Sequence, residues 1–204
     1  MNEQVWWFVA RSGGIVAWAL ITISVCWGLL LSTKAASKAA QPKQILDLHR
    51  FLGGLSVTFT GIHLGGLVAD SYVEFGWLEI LVPWASAWRP TAVAWGVVAF
   101  YLLVAVEVTS LFMKRLPKPV WRHVHRTSLG LYVFATVHGL QAGTDTGNQW
   151  YQMAMLASIN VVAFLTVIMI LARRRQRPRS NIDTTARPAA GVGQTSRPLS
   201  SASN

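Results

Sequence analysis

Five histidines are the residues best equipped for chemistry in this chain of 204: His49, His63, His123, His125 and His138. A neutral imidazole offers one ring nitrogen to a metal and titrates near neutral pH, so each is a candidate ligand or proton carrier. Their spacing narrows the choice. His49 and His63 are 14 residues apart, and His125 and His138 are 13 apart. At about 1.5 Å of rise per residue, both intervals measure about 20 Å along a helix. Two parallel helices bearing these histidines set two imidazoles at one depth and two at another. Each level then offers a pair of ligands to one flat group, which predicts two bis-histidine haems, one above the other. With both axial positions taken by protein, electron transfer is favoured over oxygen binding. The single cysteine, Cys26, excludes an internal disulfide or a thiolate cluster within one chain and reads as a packing residue.

The elements that must carry these histidines are membrane spans. The chain is 52% hydrophobic and only 13% charged, against roughly a quarter charged in an average soluble domain. That excludes a disordered protein and argues against a soluble one. A net charge of +10 first suggests nucleic acid. The basic residues cluster between long apolar runs, however, so lipid is the expected partner and nucleic acid is not. Five runs approach the roughly 20 residues needed to cross a bilayer: Gly13–Ser32, Phe51–Ala69, Thr91–Met113, Thr127–Ala142 and Trp150–Ala172. The fourth is the shortest and gains length if its helix begins at Val120. The first is too long for the apolar region of a signal peptide and lacks a basic leader, so it reads as an uncleaved helix.

Lys34, Lys38, Lys43 and Arg50 lie between spans one and two, Lys114 to Arg126 holds five more basic residues, and Arg173, Arg174 and Arg175 follow span five. The opposite side has Arg11 and Arg89 among Glu3, Asp70, Glu74, Glu79 and Asp145. The positive-inside rule therefore predicts an outside N-terminus and a cytoplasmic C-terminus. The expected fold class is all-α: a polytopic membrane bundle of about five helices over residues 1–175. The Ser-, Thr-, Pro- and Gly-rich segment 176–204 is expected to be a disordered cytoplasmic tail. The stretch Leu78–Trp88 is a candidate interfacial piece, interrupted by Pro83.

Spans two and four then run in the same direction, with His49 and His125 at the inner level and His63 and His138 at the outer one. At about 100° per residue, 14 steps return to within roughly 40° of the starting face, 13 miss by roughly 140°, and 15 miss by roughly 60°. Ideal phase thus prefers His123 to His125 as the companion of His138, unless the helix start is distorted. Pro117 and Pro119 lie just upstream. Arg50 and Arg126 each follow an inner histidine, where they can pair with haem propionates or anchor the interface. Glu107 is placed to carry protons, to hydrogen-bond a ligand histidine or to make a structural bond within the bundle. Glycines 53, 54, 61, 65, 66, 130 and 139 suit either close approach of a porphyrin or helix packing.

The segment from Gln44 to Ala142 resembles the ferric reductase-like transmembrane family. That family includes the haem domains of NADPH oxidases and metalloreductases and the bacterial haem subunit of the periplasmic methionine sulfoxide reductase. The resemblance lies in His49-Arg50-Phe51-Leu52-Gly53 with His63-Leu64, and in Trp121-Arg122-His123-Val124-His125-Arg126 with His138-Gly139. It implies two b-type haems held by His49, His63, His125 and His138. The tryptophan four residues before His125 favours that residue, with His123 as the alternate. Family members are described with six helices against the five counted here, and no flavin or nicotinamide domain is visible in these 204 residues.

The resemblance therefore implies a haem-bearing membrane subunit of an oxidoreductase in a bacterial cytoplasmic membrane. Its electrons would come from a separate flavoprotein reductase or a quinol. They would leave to an extracytoplasmic acceptor such as ferric iron, oxygen or a redox protein. A quinone-linked cytochrome b subunit and a non-redox transporter or scaffold are the alternatives.

Overall fold

Residues 4–33, 42–71 and 75–175 are described in the computed structural model. The expectations for segment 176–204, and for Glu3, Lys34, Lys38 and Glu74, lie outside these residues. Among the described residues all regular structure is helical: α1 (Gln4–Ser32), α2 (Pro42–Ala69), α3 (Trp77–Leu81), α4 (Pro90–Leu111), α5 (Lys118–Arg126), α6 (Ser128–Ala142) and α7 (Gln149–Arg175). Four of them, α1, α2, α4 and α7, are long and apolar enough to cross a membrane. The chain is an all-α, multi-pass membrane bundle.

Two antiparallel pairs organise it, α1 along α2 and α4 along α6, with α7 and α6 packed on α1. One face of α1 is buried at Ala10, Gly13, Ala17, Ile21, Val25 and Leu29, the three- and four-residue spacing of a helical stripe. Ile21, Val25 and Leu29 join Ala99 and Leu103 of α4, Leu131 and Tyr132 of α6 and Val162 of α7 in the main core. Cys26 packs against this core, as expected of a small apolar residue. Close approach of α1 and α2 depends on Gly66, where a Cβ would stand 2.7 Å from the backbone nitrogen of Ala10. Large apolar side chains point outward elsewhere, among them Leu156, Phe164 and Leu171 of α7. That is the pattern of a surface solvated by lipid.

The fourth expected span departs from its sequence reading. The run Thr127–Ala142 is not extended by one continuous helix through Val120; a separate helix, α5, starts at Lys118, after Pro117, and stops at Arg126. Pro119 is tolerated there because the first turn needs no amide donor. At Thr127 the backbone N–H bonds to the carbonyl of Val124 at 3.0 Å, a tightened three-residue turn, and α6 begins at Ser128. With 15 residues, α6 covers only about 22 Å. It is enclosed by neighbours at Leu131, Tyr132 and Thr136. The loop before α4 matches its reading more closely. The five-residue α3 ends before Pro83, and Trp77 and Leu78 are exposed beside it. Arg89 takes a left-handed conformation ahead of Pro90, and its guanidinium donates to the Gln141 carbonyl at 2.6 Å. That bond joins the start of α4 to the end of α6.

The basic residues Lys43, Lys114, Arg115, Lys118, Arg122, Arg126 and Arg173 to Arg175 occupy the helix termini and connections at one end of the bundle. We call it the basic end, and the other the far end.

Candidate functional site

His63 of α2 and His138 of α6 meet toward the far end, with ring centroids 6.3 Å apart and planes at 71°. Each ring is held from behind by the helix packed on its own. His63 Nδ1 lies 2.6 Å from the carbonyl of Ala10 in α1, and His138 Nδ1 lies 2.8 Å from the carbonyl of Ala92 in α4. A carbonyl only accepts, so Nδ1 carries the proton and Nε2 keeps its lone pair. A helical carbonyl is normally screened by the side chain one turn on. Here those positions are Gly14 and Gly96, where a Cβ would stand 2.9 Å and 2.7 Å from the two Nδ1 atoms. The same alanine-to-glycine step on two helices therefore builds the same support twice. A cavity opens beside this pair, lined by both rings and by Trp18, Gly14, Gly96 and Tyr151.

His49 of α2 and His125 of α5 meet toward the basic end, with centroids 5.9 Å apart and planes at 82°. Their Nδ1 atoms lie beside serine hydroxyls, Ser24 Oγ at 3.3 Å and Ser110 Oγ at 3.4 Å, and His49 also bonds to the backbone of Ser24. Gly28 of α1 leaves room for the His49 ring. Trp121 stacks on His125 with centroids 5.0 Å apart. Its indole Nε1 is buried with no hydrogen-bond partner among the described residues. A buried donor left unpaired costs about 1–3 kcal/mol, so it marks a place where an acceptor belongs.

His123 joins neither pair. It is exposed, and its Nδ1 lies 2.8 Å from the carbonyl of Pro119 in its own helix. The preference of ideal phase for His123 is corrected by the turn at Thr127. Because α5 and α6 are separate rods, the phase of one continuous helix does not extend from His125 to His138. Arg50 is exposed and lies 3.4 Å from Asp47, and Arg126 is exposed at the end of α5. Glu107 is not an Nδ1 partner of any of the four paired histidines. Its carboxyl lies against Gly53, where a Cβ would be 2.5 Å from Oε1. The glycines also divide. Gly66 and Gly139 serve packing, whereas Gly54, Gly61 and Gly65 face open space. The glycines that admit the imidazoles, Gly14, Gly28 and Gly96, lie on the partner helices. Sequence reading passed over them because they are remote in sequence from any histidine.

Both pairs have the dimensions of axial ligation. A metal–imidazole bond of about 2.0 Å, plus about 1.1 Å to each ring centre, sets two opposed imidazoles about 6 Å apart. No third His, Cys, Asp or Glu completes a metal site at either pair among the described residues. A porphyrin brings its own four donors, so a pair of imidazoles is what it would need from the protein. The residues present fit a haem at each level.

A family model described as ferric reductase like transmembrane component matches residues 13–136. The chain belongs to this family. The match takes in three of the four paired histidines and stops two residues short of His138. A search of curated proteins found no match, and neither did a search of solved structures. Ferric reductase-like transmembrane proteins are generally haem-binding, and membership suggests transmembrane electron transfer with redox partners.

Proposed function

We propose that this ferric reductase-like protein conducts electrons across a bacterial cytoplasmic membrane through two b-type haems. One is held by His49 and His125 and the other by His63 and His138. The carrying observation is the double pairing of imidazoles on parallel helices, each with Nδ1 turned to a neighbour and Nε2 left for a metal. A bound haem supplies one-electron redox chemistry at each level. The protein's part is to bind, orient and shield. Ala10 and Ala92 fix the far rings, Trp121 stacks on His125 and has Nε1 free for an acceptor oxygen, and Arg50 and Arg126 would pair with the propionates of a haem bound at the basic end.

By the positive-inside rule the basic end is cytoplasmic. The donor, a separate flavoprotein or a membrane quinol, reduces the cytoplasmic level. The acceptor, ferric iron, oxygen or a redox protein, is reached from the far level. On this reading the chain is the haem-bearing subunit of an oxidoreductase.

The reduced-minus-oxidised spectrum of the detergent-purified chain, with haem counted per chain, tests this. Two low-spin b-type haems are expected, falling to one in His63→Ala or His138→Ala. A colourless protein from haem-replete cells, or an unchanged haem content in both variants, overturns the proposal.

A further inference from the structure

We infer that residues 77–85 re-enter the membrane from the far end, as a wedge of apolar side chains set among the acyl chains of that leaflet and hooked to α4 by Tyr101. The Tyr101 hydroxyl donates to the carbonyl of Leu81 at 2.7 Å. Tyr101 lies 11 residues beyond Pro90, about 16 Å down α4. A tyrosine hydroxyl stands about 6.5 Å from its Cα and leans toward the helix N-terminus. Even with side chain and hydrogen bond both pointing straight back, the Leu81 carbonyl is about 7 Å below the start of α4. The 22 residues of α4 cover about 33 Å against a hydrocarbon core of about 30 Å, so that start cannot stand far outside the core. Leu81 is therefore deeper than the interface. Phe75 marks the same descent, packed on Val93 and Val97 of α4.

The backbone suits that depth. Acyl chains offer no hydrogen bonds, so polar groups among them need partners within the protein. The Val82 N–H bonds to the Leu78 carbonyl at 2.8 Å, and the Ala85 N–H closes a turn onto the Val82 carbonyl at 3.3 Å. Pro83 brings no N–H to that turn, and Trp84, with a φ of 63°, reverses the chain. The side chains divide by face. Trp77, Leu78, Leu81, Val82 and Trp84 are exposed, and through Tyr101 they join the exposed stripe of Val104 and Val108 on α4. Glu79, the one charged residue between Trp77 and Ala85, turns inward. Its carboxylate accepts from the Gly76 N–H at 2.8 Å and lines the far cavity with Phe75 and Ile80. On that side of the bundle, a layer one short helix thick separates acyl chains from the cavity beside His63 and His138.

The test spin-labels the full-length chain, in a Cys26→Ser background, at Leu78→Cys or Leu81→Cys in lipid nanodiscs. Both side chains are exposed, so neither substitution removes core packing. Relaxation is measured with oxygen, which concentrates in hydrocarbon, and with a neutral nickel chelate, which stays in water. Val104→Cys is the lipid reference and Gly147→Cys the aqueous one. Both wedge labels should match Val104→Cys, relaxing with oxygen and not with nickel. Adding Tyr101→Phe should shift the Leu81→Cys label toward nickel while Val104→Cys stays unchanged. Labels that match Gly147→Cys would put the segment in water, and labels shielded from both reagents would put a protein partner on it; either result overturns the wedge. A Leu81→Cys label unmoved by Tyr101→Phe overturns the hook. None of these outcomes depends on haem.

Discussion

A methyl group at position 96 would stand 2.7 Å from His138 Nδ1 and 2.8 Å from its Cε1. The imidazole would have to leave the Ala92 carbonyl to make room. On the two-haem proposal, Gly96→Ala is therefore expected to lose haem at the far level and keep it at the basic end, taking the measured count from two to one. Gly65→Ala is the control: it lies two residues from His63 but faces open space, and its spectrum should match the native one. The histidines themselves were legible in the sequence, because depth along a helix depends only on residue count. Their supports were not. A backbone carbonyl has no residue type, so Ala10 and Ala92 carry no sign of their role, and Ser24 and Ser110 look like ordinary small residues of apolar helices. The one available signal was the alanine-to-glycine step of four residues, repeated in α1 and α4.

Each histidine-bearing helix is set by the helix packed on it, so damage to that contact should reach the site. A side chain at Gly66 would strike the backbone of Ala10, whose carbonyl holds His63. Gly66→Val should destabilise the bundle by about 1–3 kcal/mol, as overpacking does. It should also lower far-level haem occupancy; thermal unfolding followed by haem absorbance checks both. Element identity was legible from the apolar runs, but element ends were less so. The first helix begins at Gln4, well before the expected Gly13, and carries Arg11 within it. An arginine two turns into an apolar helix discourages the longer reading until its partner Asp145, 134 positions away, is known. The break at Thr127 had only the nearby prolines as a signal. An unbroken helix would favour His123; with the break at Thr127 the fold brings His125 to His49.

Across the whole molecule, the segregation of Lys and Arg to one end argues an orientation that labelling can check. Position 147 lies in the exposed turn between α6 and α7 at the far end, with open space around it, and Arg115 is exposed at the basic end. In a Cys26→Ser background, an impermeant maleimide should label Gly147→Cys in intact cells and Arg115→Cys only after lysis. The reverse pattern would place the basic end outside. Among the described residues the segregation of charge was legible in the sequence, whereas the ties across the far end were not. Arg11 and Asp145 both line the far cavity, and Arg11 Nε donates to Asp145 Oδ2 at 2.6 Å with a second bond from its terminal nitrogen. Arg11 lies in α1, whereas Asp145 follows α6. During synthesis the tie across the far cavity consequently cannot close before the connection that follows α6 has been made.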